Sequence, residues 1–167
     1  MAAELEVTHN DIYRDVRALL LDLFQLPSEK VIRGYSNNVP LPNGDFILVN
    51  IINETDLSTN GWFYLKEANK VEALQSVEVL LQIDFYGKES AKNARIFSNL
   101  WRDFYSSERL KLCQPLYCNN PKYLPFTNEQ NQYEERYMVE AYLTYIPVAT
   151  YDQDYVDNVG EINLNKL

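Results

Sequence analysis

The chain has 167 residues and a formal net charge of −9, and 46% of its residues are hydrophobic, 13% aromatic and 23% charged. This length and composition are typical of one soluble globular domain and exclude a fibrous or disordered chain. The excess of acidic side chains argues against tight binding of nucleic acid, because such binding requires clustered Lys and Arg.

Neither an export signal nor a membrane span is expected. The opening MAAELEVTHND lacks the basic region and the apolar run of a secretory signal. No stretch reaches the roughly 20 apolar residues of a membrane-spanning helix. We therefore expect a cytosolic protein in which Cys113 and Cys118 are thiols.

The first predicted element is an amphipathic helix over residues 10–25. Thr8 or Asn10 can cap its first turn, and Pro27 ends the segment. Apolar side chains recur at the helical spacing and form one face: Ile12, Val16, Leu19, Leu20 and Leu23.

Two strands joined by a turn-rich loop follow this helix. A short strand is expected at residues 31–33, and a longer one at residues 45–52, DFILVNII, which is rich in β-branched residues. Gly34 and the Asn43-Gly44 pair favour turns between them. A long polar stretch, NETDLSTNG, then precedes an aromatic strand in WFYLKE.

The clearest strand covers residues 74–86. Glu78, Gln82 and Asp84 lie on one face, which we expect to meet water or another subunit. The other face is apolar and predicted to be buried: Val77, Val79, Leu81, Ile83 and Phe85. One-sided alternation of this kind is typical of an antiparallel sheet that is covered on one side only.

A second amphipathic helix and two further strands complete the pattern. The helix is predicted over residues 89–105, with Ser90 as its cap and Phe104 on its apolar face. Strands follow near residues 111–118 and 132–147. In the last strand one face is shared by Tyr133, Tyr137, Val139, Ala141, Leu143 and Tyr145.

These elements predict an α+β fold, a mainly antiparallel sheet with two amphipathic helices packed on one face. The other face of the sheet is left for partners. We expect a single domain over residues 1–150 and an acidic C-terminal extension over residues 151–167. The extension could include a short terminal strand around residues 161–164.

No pattern indicates an active site, a metal site or a bound cofactor. The single histidine, His9, offers too few ligands for a typical metal site. The segment GKES does not fit a phosphate loop, because position 82 is Gln where the first glycine should be and Glu89 follows Lys88 where Ser or Thr is required. Glu134 and Glu135 are adjacent, and adjacent side chains of a strand point to opposite faces, so the two cannot act together as acid and base. A binding or assembly protein is therefore expected, and not an enzyme.

The order and spacing of four segments resemble the neck and tail-terminator proteins of tailed bacteriophages and prophages. The likeness runs over residues 10 to about 148 and is carried by RGYSNNVPLPNGDFILVNI, LSTN, SVEVLLQIDFYGKESAKNARIFSNLWRD and QYEERYMVEAYLTY. The resemblance implies an α+β subunit of a homo-oligomeric ring, usually a hexamer, at the head-proximal end of the tail.

Such a ring would cap the tail tube protein, join it to neck and connector proteins, and leave a channel through which DNA passes without specific binding. The subunit would belong to the virion and assemble in the host cytoplasm, with no membrane association. The resemblance also implies recurrent positions, which either form subunit interfaces or hold loops: Arg33, Asn37, Asn38, Pro40, Pro42, Leu57, Ser58, Thr59, Asn60, Tyr133 and Arg136.

Two other interpretations stay open at this point. One is a cytosolic α+β domain whose tyrosine-lined sheet binds a small molecule. The other is a neighbouring head-completion or connector protein of the same particle, with a different number of copies in its ring.

Overall fold

The computed structural model describes residues 3–34, 40–127 and 132–154 and confirms the α+β class. The helices in these ranges are α1 (His9–Phe24), α2 (Ser90–Trp101) and α3 (Phe104–Arg109), with short 3-10 turns at Ser28–Lys30 and Lys66–Ala68. The strands are β1 (Glu4–Leu5), β2 (Val31–Arg33), β3 (Phe46–Asp56), β4 (Gly61–Leu65), β5 (Lys70–Leu74), β6 (Val77–Tyr86), β7 (Gln114–Cys118), β8 (Lys122–Tyr123), β9 (Phe126–Thr127), β10 (Tyr133–Glu134), β11 (Arg136–Tyr145) and β12 (Val148–Asp152).

The main sheet has the strand order β2-β3-β6-β11-β7, and β8 pairs with β11 beside β7. Only β2 and β3 run parallel, and the other pairings of this sheet are antiparallel. β6 lies at the centre, where Tyr86 pairs with Phe46 of β3 and with Arg136 of β11. Both neighbours follow β6 along its whole length.

The apolar face of β6 is buried, as the alternation predicts. Val79, Leu81 and Ile83 have 0% exposure. The Phe85 ring lies between α1 and α2, with its centroid 5.8 Å from that of Phe24 and 5.7 Å from that of Phe97. Burying five apolar side chains along β6 contributes roughly 7–15 kcal/mol as an upper bound. That sum is comparable to the net stability of a whole domain.

Side-chain hydrogen bonds tie α1 to its surroundings. The Asp11 carboxylate accepts a hydrogen bond from the Thr8 hydroxyl at 2.6 Å and from the Thr8 backbone N–H at 3.0 Å. These bonds lower the pKa of Asp11, the hydroxyl most strongly. Asp15 accepts hydrogen bonds from the backbone N–H groups of Lys111 and Leu112, both at 2.8 Å. The chain after α3 is thereby attached to α1.

The prediction of one helix over residues 89–105 is wrong at both ends. Ser90 is the first helical residue and is fully buried, so it does not occupy the cap position. α2 ends at Trp101, and Asp103 then caps the separate helix α3 with its side chain. Because this break changes the helical phase, Phe104 is 72% exposed and does not face the core.

Three predicted strand boundaries also differ from the structure. β3 continues through polar residues to Asp56, because these residues still pair with β6. β6 begins at Val77, and the chain up to Leu74 belongs to the separate strand β5. Tyr133 lies in β10, which pairs with β9, and is 82% exposed instead of sharing the buried face of β11.

The sequence did not predict a second sheet, which has the order β1-β12-β5-β4 with every pairing antiparallel. We call it the small sheet. Its hairpin of β4 and β5 lies between β3 and β6 in the chain. β12 follows β11 and runs to Asp152. The division of the chain at residue 150 stays a prediction, and the strand expected around residues 161–164 lies outside the described residues.

Both cysteines are free thiols and are buried in the core, which confirms their predicted state. Burial raises the pKa of the Cys113 thiol, and the nearby Asp15 carboxylate raises it further. The thiol of Cys113 therefore stays protonated at neutral pH and is a poor nucleophile.

Leu81→Asp is expected to unfold the isolated subunit, because it places an unpaired charge at a position with 0% exposure. Phe104→Asp is the matched control: at 72% exposure it should change the free energy of unfolding by less than about 0.5 kcal/mol. Urea denaturation followed by circular dichroism measures both effects. Equal tolerance of the two substitutions would contradict the assignment of the buried face.

Candidate interaction surfaces

The polar groups of the described residues form no arrangement suited to a metal ion, since no group of three or more His, Cys, Asp and Glu side chains comes together among them. No helix within the described ranges is long and apolar enough to cross a membrane. Glu135 is exposed in the connection between β10 and β11, and Glu134 lies in β10. The features that remain are surfaces on the two sheets.

The outer face of the main sheet, opposite the helices, contains a buried ion pair. Arg136 donates to Asp84 Oδ1 from Nε at 2.9 Å and from Nη2 at 2.8 Å, and Gln82 donates to Asp84 Oδ2 at 2.7 Å. Leu48 and Met138 pair with Asp84 from the two neighbouring strands, and Asp84 is 1% exposed. The expectation that Asp84 meets water or another subunit is therefore wrong.

The rest of this outer face is mixed. Phe46 and Tyr86 are buried there, with their rings stacked at a centroid distance of 4.4 Å, and the neighbouring polar groups are paired with one another. Glu140 accepts hydrogen bonds from Lys122 and Asn119, both at 2.8 Å, and these contacts lower the pKa of its carboxyl, that of Lys122 most strongly. The rings of Tyr117 and Tyr142 stack with centroids 4.3 Å apart. The outer face therefore combines paired polar groups with stacked aromatic rings.

Another polar contact joins the ends of three elements. Glu54 of β3 accepts a hydrogen bond from the Tyr145 hydroxyl at 2.7 Å and lies 2.8 Å from His9 Nε2. Burial of the hydroxyl raises the pKa of Tyr145, and the Glu54 carboxylate adds to this effect. The contact links the start of α1 to the ends of β3 and β11.

The loop residues implied by the resemblance begin with Arg33, which ties β2 to α1. Its guanidinium lies 4.3 Å from the centroid of the Tyr13 ring, and it donates to Asn10 Oδ1 at 3.2 Å. Asn37 and Asn38 lie outside the described residues. Arg33 thus has a local contact that holds the start of the loop.

Leu57 and Ser58 hold the connection between the two sheets. The Leu57 backbone N–H donates to the Ser76 carbonyl at 2.9 Å, and the Ser76 N–H donates to Ser58 Oγ at 3.0 Å. This pair of hydrogen bonds closes the point where β3 leaves the main sheet and β6 enters it. The described contacts of Arg33, Ser58 and Arg136 therefore lie in three different parts of the fold.

The other implied positions lie at the surface. Pro40, Thr59 and Asn60 are exposed, and Pro42 is half-buried. Tyr133 is 82% exposed. These positions are accessible to a neighbouring protein.

Sequence reasoning missed an exposed apolar strip on β4, which consists of Trp62, Phe63, Tyr64 and Leu65 and which we call the β4 strip. Their exposed fractions are 58%, 59%, 63% and 39%. The sequence does carry the signal: GWFYL lacks one-sided alternation. Because successive side chains of a strand point to opposite faces, four large apolar residues in a row cannot share one core.

Comparison with models of protein families identifies one family that matches this chain. A family model described as "Phage neck terminator protein" matches residues 10–166. The match continues past residue 148, where the resemblance drawn from the sequence ends. A search of curated proteins found no match.

Asp84→Leu is expected to lower the free energy of unfolding by about 2–4 kcal/mol, because it leaves the Arg136 guanidinium without its partner while that side chain is only 25% exposed. Lys122→Met is the matched control on the same face, and removing its exposed ion pair with Glu140 should cost less than about 1 kcal/mol. Urea denaturation at pH 7 compares the two variants. A cost for Asp84→Leu no larger than that of the control would contradict a buried, structural role for the pair.

Proposed function

The chain belongs to the phage neck terminator family, and from this we propose that its subunits form a ring that closes the head-proximal end of a phage tail. Membership implies a structural protein of the virion neck that associates with other tail and neck proteins, in a family that is not one of enzymes. In the proposed arrangement six copies cap the tail tube, contact the connector on their other side and surround a channel for DNA.

The family match over residues 10–166 is the observation that carries the proposal. Two properties of the structure support it. The helices cover one face of the main sheet, while Tyr117 on its other face and the β4 strip are exposed on the subunit itself. A ring needs two different surfaces on each copy, because contacts that close a ring are heterologous.

The charge of the chain supports a channel that does not hold DNA. The sequence has 24 acidic and 15 basic residues, which gives the net charge of −9. Like charge repels the phosphate backbone, whereas retention of DNA requires clustered cations. DNA can therefore pass a wall of this sign without specific binding.

For the positions implied by the resemblance we propose two roles. Residues with hydrogen bonds or an ion pair inside the subunit hold its connections in place: Arg33, Leu57, Ser58 and Arg136. Residues at the surface face neighbouring proteins: Pro40, Pro42, Thr59, Asn60 and Tyr133. Asn37 and Asn38 keep the role that the resemblance implies for them, as part of the same loop.

Negative-stain electron microscopy of the purified protein, alone and mixed with tails that lack it, tests the proposal. We expect rings with sixfold symmetry that bind one end of each tail. Leu81→Asp protein serves as the control and should neither fold nor bind. A subunit that stays monomeric and never joins tails would contradict the proposal. Rings of a different symmetry that bind the head and not the tail would favour the neighbouring connector role.

A further inference from the structure

We propose that β4 of one copy pairs with β1 of the next copy, so that the small sheets of neighbouring copies join into one antiparallel sheet. The inference rests on the proposed ring and identifies the surface through which its copies meet. The occupant of the β4 edge is thus a second copy of this chain, arranged head to tail.

The small sheet has two open edges in the part of the chain that the structure describes. In the order β1-β12-β5-β4, the strands β1 and β4 each have one paired side. The backbone N–H and C=O groups on the other side of such strands are available to another chain. Gly61–Leu65 contains no proline and no charged side chain and pairs with β5 in continuous register, so β4 lacks the usual features that prevent edge-to-edge pairing.

The β4 strip makes this edge unusual for an isolated subunit. Trp62 and Tyr64 point to one face of the small sheet, and Phe63 and Leu65 point to the other. All four are at least 39% exposed. Contiguous exposed apolar surface of this kind marks interaction sites in soluble proteins. At the opposite edge Leu5 of β1 is 47% exposed and offers an apolar contact.

The strand directions of the two edges are compatible. β1, β12, β5 and β4 alternate in direction, because each of the three pairings is antiparallel. Continuing this alternation past β4 requires a strand that runs in the direction of β1. A neighbouring copy placed head to tail supplies that strand without changing the pattern of the sheet.

The charges at the strand ends favour the same pairing. Glu4 begins β1, and Lys66 directly follows β4. When the two strands pair antiparallel, the first residue of β1 lies beside the last residues of β4. The Glu4 carboxylate and the Lys66 ammonium are then neighbours of opposite charge, an attraction that helps to set the direction of the contact.

A two-fold contact between two β4 strands would use only one of the open edges. It would stop at a dimer, and β1 would remain unpaired. A head-to-tail contact uses both edges of every copy and can close into a ring. The proposed ring therefore favours pairing of β4 with β1 over pairing of β4 with itself.

Disulfide cross-linking of the full-length protein tests the pairing. Leu5→Cys is combined in one chain with Trp62→Cys, Phe63→Cys, Tyr64→Cys or Leu65→Cys in turn, since opposed residues of paired strands lie within reach of a disulfide. After mild oxidation at concentrations at which the wild-type protein forms rings, we expect a ladder of multimers from at least one combination. Cys113 and Cys118 are buried and do not interfere.

Control variants define the outcomes of this experiment. Leu5→Cys with Asn99→Cys, at an exposed position of α2, should give no ladder. Each single variant should stay uncross-linked, and a 1:1 mixture of Leu5→Cys with the reactive β4 variant should stop at dimers. A disulfide-linked dimer of a single β4 variant would overturn the proposal in favour of two-fold pairing of β4. Rings without any ladder would overturn it outright.

Charge substitutions provide an independent measurement. Phe63→Lys should leave the monomer folded, because the side chain is 59% exposed, and should reduce ring formation by about tenfold or more. Phe104→Lys, at a 72% exposed aromatic residue outside the small sheet, should have no such effect. Rings that survive Phe63→Lys contradict the proposed edge and leave the proposed function intact. A wild-type protein that forms no rings, alone or on tails, contradicts the proposed function itself.

Discussion

The structure depends on the way in which apolar side chains alternate along β6, so that every second side chain faces the core. Because β3 and β11 pair with β6 on both sides along its length, the side chains of all three strands have common inner and outer faces. Val79, Leu81 and Ile83 are completely buried at the centre of the inner face. The two longer helices, α1 and α2, pack on this face and share one buried core with it. The side chains of the main sheet are thereby divided into a core face and an outer face.

The alternation along β6 also determines which side chains lie on the outer face of the main sheet. Alternation assigns Asp84 to the face opposite the core, but it does not determine whether water reaches the carboxylate. In the middle of a sheet, side chains from both neighbouring strands surround each position, and Asp84 is 1% exposed as a result. Arg136 and Gln82 compensate for the burial of its charge. This face therefore carries a paired polar network beside the buried, stacked rings of Phe46 and Tyr86.

The sequence predicts the elements whose periodicity is strong and local. The first helix, β2, the core of β6 and the buried part of β11 are where alternation or helical spacing indicates them. The small sheet could not be predicted in this way, because it joins short strands from distant parts of the chain. β4 has no alternation, β1 has two residues, and β12 continues from a strand of the other sheet. Phe104 was misplaced because a new cap at Asp103 restarts the helix in a different phase.

In the proposed assembly, the main sheet stabilises the subunit and the small sheet offers its edges to neighbouring copies. Hydrogen–deuterium exchange of the backbone amides, compared between the free protein and the assembled neck, tests this division most directly. We predict that amides of Gly61–Leu65 exchange quickly in the free protein and at least about tenfold more slowly after assembly, while those of Val77–Tyr86 exchange slowly in both states. Equal exchange of Gly61–Leu65 in the free and assembled states would contradict the account.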